Sequence, residues 1–352
     1  MRIRSFFTKI THWEHWPTFM FYFPLTPFFL YSGIKGKHPL CFLTTNPAIK
    51  HSGDGTESKF ETINLIPKNL KPIGVLISTK ENLKDALLKI KQAGIEFPLI
   101  AKPDIGFRGF LVKKIDSKTA LKTYLEKYPI NIIIQEFVDL PKECGIFYHR
   151  IPDEDKGKIT SITLKKFLTV TGNGSSSLSD LILADKRAYL YYDLLQNIHK
   201  AQMLSIPVKG EKIRLTVIGN HSKGTQFING NHLITKDLEL MLDSLTKQIN
   251  HWYYGRLDIK YDTFEKLIQG KDFKIIEMNG IISEPTHIYD PNNISYFGAL
   301  KSIKEHWKII FRISKKNHDL FNIPYPKLKP YLKNVLWLRR HSKELNRLNK
   351  LS

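Results

Sequence analysis

Two short segments in the last third of the chain constrain the fold most: Gly255-Arg256-Leu257-Asp258-Ile259-Lys260 and Lys274-Ile275-Ile276-Glu277-Met278-Asn279-Gly280. Each alternates polar and apolar residues, the pattern of a half-buried β-strand. The stretch between them, Tyr261 to Phe273, is long enough for an irregular hairpin connection. Side chains two apart on a strand share a face, so Arg256 and Asp258 point one way. Glu277 and Asn279 can meet them from the partner strand, where facing residues lie about 5 Å apart. The patch then holds two acids, one amide and one cation. Such a set suits Mg²⁺, which takes one or two carboxylates and leaves its other positions to water and phosphate. A plain cross-strand ion pair on a solvated face would use the same residues, so the rest of the chain has to separate the two readings.

Length and charge narrow the field. A chain of 352 residues has room for two or three domains, and 42% apolar residues is ordinary for a soluble globular protein. Cys41 and Cys144 are far apart and form no metal-ligand spacing. They point to a reducing, cytoplasmic setting with two inert buried thiols. Lys and Arg number 54 against 33 Asp and Glu, a net charge of +21. Part of that excess is local, with fourteen basic and three acidic residues from Lys301 to Ser352. The balance attracts polyanions in general: nucleic acid, anionic lipid or a phosphorylated ligand. Neither zinc-finger spacing nor an RNA-recognition signature is present, so no specific nucleic-acid partner is expected.

The N-terminal stretch His15 to Tyr31 is rich in aromatic and aliphatic residues and almost long enough to span a bilayer. Pro17, Pro24 and Pro27 interrupt it, and each removes a backbone donor. It also lacks the graded basic region and small-residue cleavage site of a signal peptide. The expectation is a segment docked on the protein or lying at the inner membrane surface as a peripheral contact. The flanking Arg2, Arg4, Lys9, Lys35 and Lys37 suit the second alternative.

Along the chain, strands are expected at 74–78, 97–102, 131–138, 145–151, 159–167, 213–219, 225–228, 255–261 and 273–278. A glycine loop and further strand are expected over 106–113. Helices are expected at 81–93, 118–127, 181–203, 238–253 and 299–318. Thr171 to Ser179 reads as a flexible loop of small residues. The order gives an α+β chain with mixed or antiparallel sheets rather than a regular βαβ series. Expected boundaries are an aromatic segment 1–72, a first subdomain 73–140, a second subdomain 141–298 carrying the acidic patch, and a basic helical tail 299–352.

Two further pieces carry chemistry. In PLIAKPDIGFRGF, Lys102 closes an apolar strand and Gly106, Arg108 and Gly109 follow. A fixed cation beside a glycine loop lets backbone N–H groups approach phosphate oxygens closely. The spacing is not that of a P-loop. In IIIQEFVDLPKECG, an apolar strand runs into Gln135-Glu136-Phe137-Val138 and a turn, then Glu143. A strand end entering a linker offers an apolar slot and an alternating donor–acceptor edge for an adenine ring. A carboxylate past the turn can accept ribose hydroxyls.

Taken in order, PLIAKP with GFRG, QEFV with Glu143, the loop TGNGSSSLSDLI, and RLDIK with IIEMNG resemble the ATP-grasp superfamily over roughly residues 75–290. The likeness is nearest to D-alanine–D-alanine ligase, glutathione synthase and cyanophycin synthetase. It implies two α+β subdomains gripping ATP, and an ATP- and Mg²⁺-dependent ligase (with Mn²⁺ as a substitute) that joins a small-molecule carboxylate to an amine through an acyl-phosphate. By the same resemblance, Lys102 binds phosphates under the 106–109 loop. Gln135, Glu136 and Val138 form the adenine hinge, and Glu143 holds ribose. Lys165 of the Lys165-Lys166 pair adds a phosphate contact. Asp258, Glu277 and Asn279 ligate the metal, and Arg256 stabilises the acyl-phosphate step. A kinase or a non-catalytic ATP-binding protein of the same fold is the alternative. The chain departs from its relatives in three ways. The N-terminal region is short and Pro-interrupted. The second phosphate lysine has only Lys80 as a nearby candidate. The mobile loop reads Gly172-Asn173-Gly174-Ser175 where many relatives have GDGK. Arg214, Asn220, His221, Glu284 and His287 are further candidates for lining a substrate pocket.

Overall fold

A computed structural model describes residues 13, 16–107, 109–216, 219–220, 223–290 and 292–350. In chain order its elements are α1 (Thr18–Tyr22), α2 (Thr26–Lys35), α3 (Lys59–Asn64), β1 (Gly74–Ile77), α4 (Leu83–Gln92), β2 (Leu99–Pro103), β3 (Lys113–Ile115), α5 (Lys118–Lys127), β4 (Ile132–Glu136), β5 (Lys142–His149), β6 (Lys158–Lys166) and β7 (Thr169–Thr171). There follow α6 (Leu178–Ala184), α7 (Tyr192–Ile198), β8 (Lys212–Arg214), β9 (Gln226–Asn229), α8 (Lys236–Thr246), β10 (Tyr254–Tyr261), α9 (Phe264–Ile268), β11 (Phe273–Asn279), α10 (Tyr296–Phe321) and α11 (Leu328–Lys350). The fold is α+β, built on two antiparallel sheets of order β1-β4-β2-β3 and β11-β10-β5-β6-β9, with a small β7-β8 pair beside them.

In the first sheet, the period-2 pattern sorts side chains to two faces. Leu99, Ala101, Ile132 and Ile134 pack with Ala86 and Ile90 of α4 and with Leu121 and Tyr124 of α5. Lys102 pairs in register with Ile133, and Gln135 with Ile100, so these residues share the opposite face. Local signals start both helices. Asn82 and Asp85 form a reciprocal capping box for α4, and Ser117 caps α5.

The second sheet follows the same rule. Ile146, Ile162, Leu257, Ile259 and Ile275 pack on Leu238, Leu242 and Leu245 of α8. That leaves Glu143, Gly145, Lys165, Arg256, Asp258, Glu277 and Asn279 on the other face. Ile49 and Ile66 enter this sheet's core from the chain before residue 72. Buried Asn46 ties that stretch to β10: its amide donates to Tyr254 O at 2.7 Å and its Oδ1 accepts from Tyr253 and Tyr254 N–H.

Several elements differ from the sequence expectation, each for a local reason. The helix expected at 181–203 breaks after Ala184, because Asp185 Oδ1 accepts from Arg187 and Ala188 N–H and turns the chain. The helix expected at 238–253 stops at Thr246; His251 takes φ 58° and Trp252 turns inward to lead into β10. Of the strand expected at 213–219, the described residues form strand only at Lys212–Arg214. The N-terminal prolines sit at helix starts rather than within helices. Pro17 precedes α1, and Pro24 and Pro27 lie in the first turns of a 3₁₀ turn (Phe23–Leu25) and of α2. Among the described residues, no helix is long and apolar enough to cross a membrane. The basic tail is packed: Leu345 and Leu348 of α11 are buried in the first sheet's core.

Candidate functional site

The polar faces of the two sheets meet. Lys102 Nζ, from the first sheet, donates to Ile276 O on β11 of the second at 3.3 Å. The chain that links the lobes here is α3. Its first turn is tied to the residue after Pro103: Ser58 Oγ and Phe60 N donate to Asp104 Oδ1 at 2.8 and 3.0 Å, and Lys59 N donates to Asp104 O. Lys59 then reaches across to Glu277, with which it is ion-paired. Lys59 is the residue that sequence reading missed; Lys80 lies instead in an exposed turn after β1. The usable signal was Ser58-Lys59-Phe60-Glu61, an S-x-x-E helix start that puts a lysine on the first helical residue.

On the second sheet, Asp258 sits opposite Glu277 in register, and Arg256 opposite Asn279, with a bulge after Asp258. Arg256 grips Asp258 with two bonds, Nε to Oδ1 at 2.8 Å and Nη2 to Oδ2 at 3.3 Å, and sends Nη1 to Glu284 O at 3.1 Å. Lys165 Nζ lies 2.6 Å from Glu143 Oε1 and 3.5 Å from Asp258 Oδ2, all three side chains being buried. Gly145 is what lets this cluster close, since a Cβ there would stand 3.0 Å from Arg256 Cδ and 3.1 Å from Asp258 Oδ1. Gly280 does the same at the end of β11. A Cβ on it would meet Ser52 O at 2.0 Å, and Ile281 and Ile282 N–H donate to Ser52 and Gly53 carbonyls across that contact.

Lys59, Lys102, Lys165 and Arg256 thus face Glu143, Asp258 and Glu277, an excess of one positive charge. The Lys102 pKa is lowered to about 8 by burial first, with Glu277 pulling it back up and Lys59 pushing it down. Burial would lower Lys165, Lys59 and Arg256 as well. The carboxylates beside them outweigh it: Asp258 and Glu143 for Lys165, Glu277 for Lys59, and Asp258 for Arg256. Burial would raise Glu277, but Lys59, Lys102 and Arg256 overcome it and hold the carboxylate at about 2. Lys59, Lys165, Arg256 and Glu277 are therefore held in their charged forms, and Lys102 is the cation that titrates nearest to neutrality.

The remaining candidates fall in different places. Gln135 lies on the face of Lys102, whereas Glu136 belongs to the opposite face by register. Glu136 and Val138 line a hollow of about 610 Å³ together with Phe137, Asp139 and Asp262. The Val138 carbonyl accepts from Lys260 Nζ at 3.0 Å. Gly106 and Gly109 follow β2, with Gly109 at φ +68°, a left-handed conformation that favours glycine. Arg108 and His221 lie outside the described residues. Residues 173–177 close on themselves: Asn173 Oδ1 accepts from Ser175 and Ser176 N–H, and Ser177 caps α6. Arg214 stacks on Phe167 at 3.5 Å. The Asn220 carbonyl accepts from Lys223 and Thr225 N–H. Glu284 accepts from Tyr22 and Tyr289 hydroxyls. His287 Nδ1 meets Ser161 Oγ at 2.7 Å, and burial holds its pKa at about 4.

Among the described residues, no three His, Cys, Asp or Glu side chains gather as a metal cluster. The metal candidates are two carboxylates and one amide. Asp258, Glu277 and Asn279 offer oxygen donors from adjacent strands, and Asn279 Nδ2 is buried without a partner. Hard oxygen donors on a rigid sheet fit Mg²⁺ or Mn²⁺ in type.

No family model matches the chain, and no curated protein matches it. Solved structures similar to it include D-alanine–D-alanine ligase from Bacillus anthracis, 14% identical over 77% of this chain and 72% of that one, with a TM-score of 0.42. The bifunctional glutathione synthetase from Pasteurella multocida is 16% identical over 72% of this chain, with a TM-score of 0.37. The L-amino acid ligase from Bacillus licheniformis is 13% identical over 74% of this chain, with a TM-score of 0.38. This chain spans 35% of the length of the glutathione synthetase and 50% of that of the L-amino acid ligase.

Proposed function

We propose that the chain is an ATP-grasp ligase that binds Mg-ATP between its two sheets, activates a carboxylate as an acyl-phosphate and passes the acyl group to an amine. The observation that carries this reading is the approach of Lys102 from the first sheet to the Ile276 carbonyl on β11 of the second, beside the Lys59–Glu277 ion pair. Lys102 from the first sheet and Lys59 from the linking helix face carboxylates on the second sheet, an arrangement suited to a triphosphate with its counter-ion.

Lys102 and Lys59 hold phosphate oxygens, and the glycines at 106 and 109 let backbone N–H groups close over them. Gln135 and Val138 border the base, and Glu143 takes the ribose. Asp258, Glu277 and Asn279 would hold Mg²⁺, whose charge offsets that of the phosphates. A substrate carboxylate oxygen attacks the γ-phosphorus and the bond to ADP breaks. The amine nitrogen then attacks the acyl carbon and loses a proton, and phosphate leaves. Arg256, locked on Asp258, faces the negative charge that grows in both steps.

The reading predicts ADP release only when both a carboxylate and an amine are supplied from a substrate screen. Asp258→Asn and Glu277→Gln should each lower that release by roughly 10²-fold or more, with the fold retained by circular dichroism. Mg-ATP should raise the melting temperature of the unaltered protein. Full turnover by both variants would overturn the assignment.

A further inference from the structure

The N-terminal helices leave an apolar stripe that nothing described in the chain covers. From Thr18 to Lys35, α1, the 3₁₀ turn and α2 run on without a break. One face is buried: Phe21, Leu25 and Phe29 pack on Ile288, Ala299, Leu300 and Ile303. The other exposes Phe19 at 75%, Phe23 at 75%, Leu30 at 66% and Ile34 at 79%. Their spacing of four, seven and four is that of a single helical face. Met20 and Tyr31 beside these positions are exposed as well. A helix docked only as a structural arm needs one apolar face; this one has two.

Charge identifies the occupant. No Asp or Glu occurs from Trp16 to Gly53, while Lys35 and Lys37 close the stripe. From α10, Lys304 lies over the Phe28 ring at 5.5 Å, and the nearby acid Glu305 is paired with Lys308 at 2.7 Å. Protruding aromatics bordered by unopposed lysines match the boundary of an anionic bilayer, where rings enter the headgroup layer and amines meet phosphates. A second copy docked face to face would instead oppose lysine to lysine. We infer that this stripe seats the protein on an anionic membrane surface.

The inference stands whatever reaction the cleft performs. The test is co-sedimentation of the full chain with vesicles of phosphatidylcholine, with and without phosphatidylglycerol. Binding should require phosphatidylglycerol and weaken with salt. The combined variant Phe19→Ser, Phe23→Ser, Ile34→Ser should lose roughly tenfold or more in binding while keeping the melting temperature, because these side chains face away from the core. Equal binding by the variant, no binding by the unaltered chain, or a dimer in light scattering that the variant dissolves would each overturn the proposal.

Discussion

Lys102 is the residue whose charge state the fold leaves most open. Its pKa of about 8 in the free cleft reflects burial first, offset in part by Glu277 and reinforced by Lys59. A triphosphate placed beside it would raise that value, so the complex binds the proton more tightly than the free protein does. ATP affinity should therefore be full below pH 8 and fall as pH rises through 8, by up to about tenfold per unit until the pKa of the complex is passed. Titration calorimetry of Mg-ATP across pH 7 to 10 checks this, and Lys102→Arg should flatten the profile because a guanidinium stays charged. Glu277 shows the converse balance: three cations outweigh its burial and keep it ionised, ready for a cation stronger than lysine.

At the scale of elements, α11 is the least expected part of the chain. Its sequence is strongly basic, yet Leu345 and Leu348 are buried among the helices and strands of the first sheet. His341 Nε2 lies 2.9 Å from Ile105 O, just before the glycine loop. The tail thus acts as a brace for the lobe that carries Lys102. Leu345→Ala should cost about 2–5 kcal/mol in urea unfolding, the range for a buried leucine truncated in a packed core. A cost near zero would mean the tail is not docked in solution. The short α3 has a similar standing. Six residues could not hold a helix alone in water, but Asp104 captures its start and so fixes Lys59 opposite Glu277.

Across the whole molecule, buried neutral histidines set the acid limit. Burial depresses His287 to about 4 and His306 to about 3, where an unfolded chain would titrate near 6.5. Between those values the unfolded state binds more protons than the folded one. Stability should be full above pH 6.5 and fall as pH drops from 6.5 towards 4, by at most about 3 kcal/mol per unit for the two groups together. Urea melts at stepped pH measure that slope; a flat profile would mean that both histidines are charged in the native state.

Periodicity and caps made much of the architecture legible in the sequence. Alternation marked β10 and β11 and put Arg256, Asp258, Glu277 and Asn279 on one face, and an apolar 3.6-residue pattern marked α4. These are local properties, set by backbone geometry within a few residues. What sequence could not supply is which distant faces meet. Lys59 lies 218 positions from Glu277, and no local pattern encodes that pairing. The tail's charge hid the two leucines that dock it. The N-terminal aromatic segment read as a buried arm or a membrane contact; packing covers one of its faces and leaves the other bare. Side-chain chemistry is written residue by residue, whereas the charge balance of a cleft arises only when separate lobes bring their groups within a few ångströms, where Coulomb interactions and lost solvation act together.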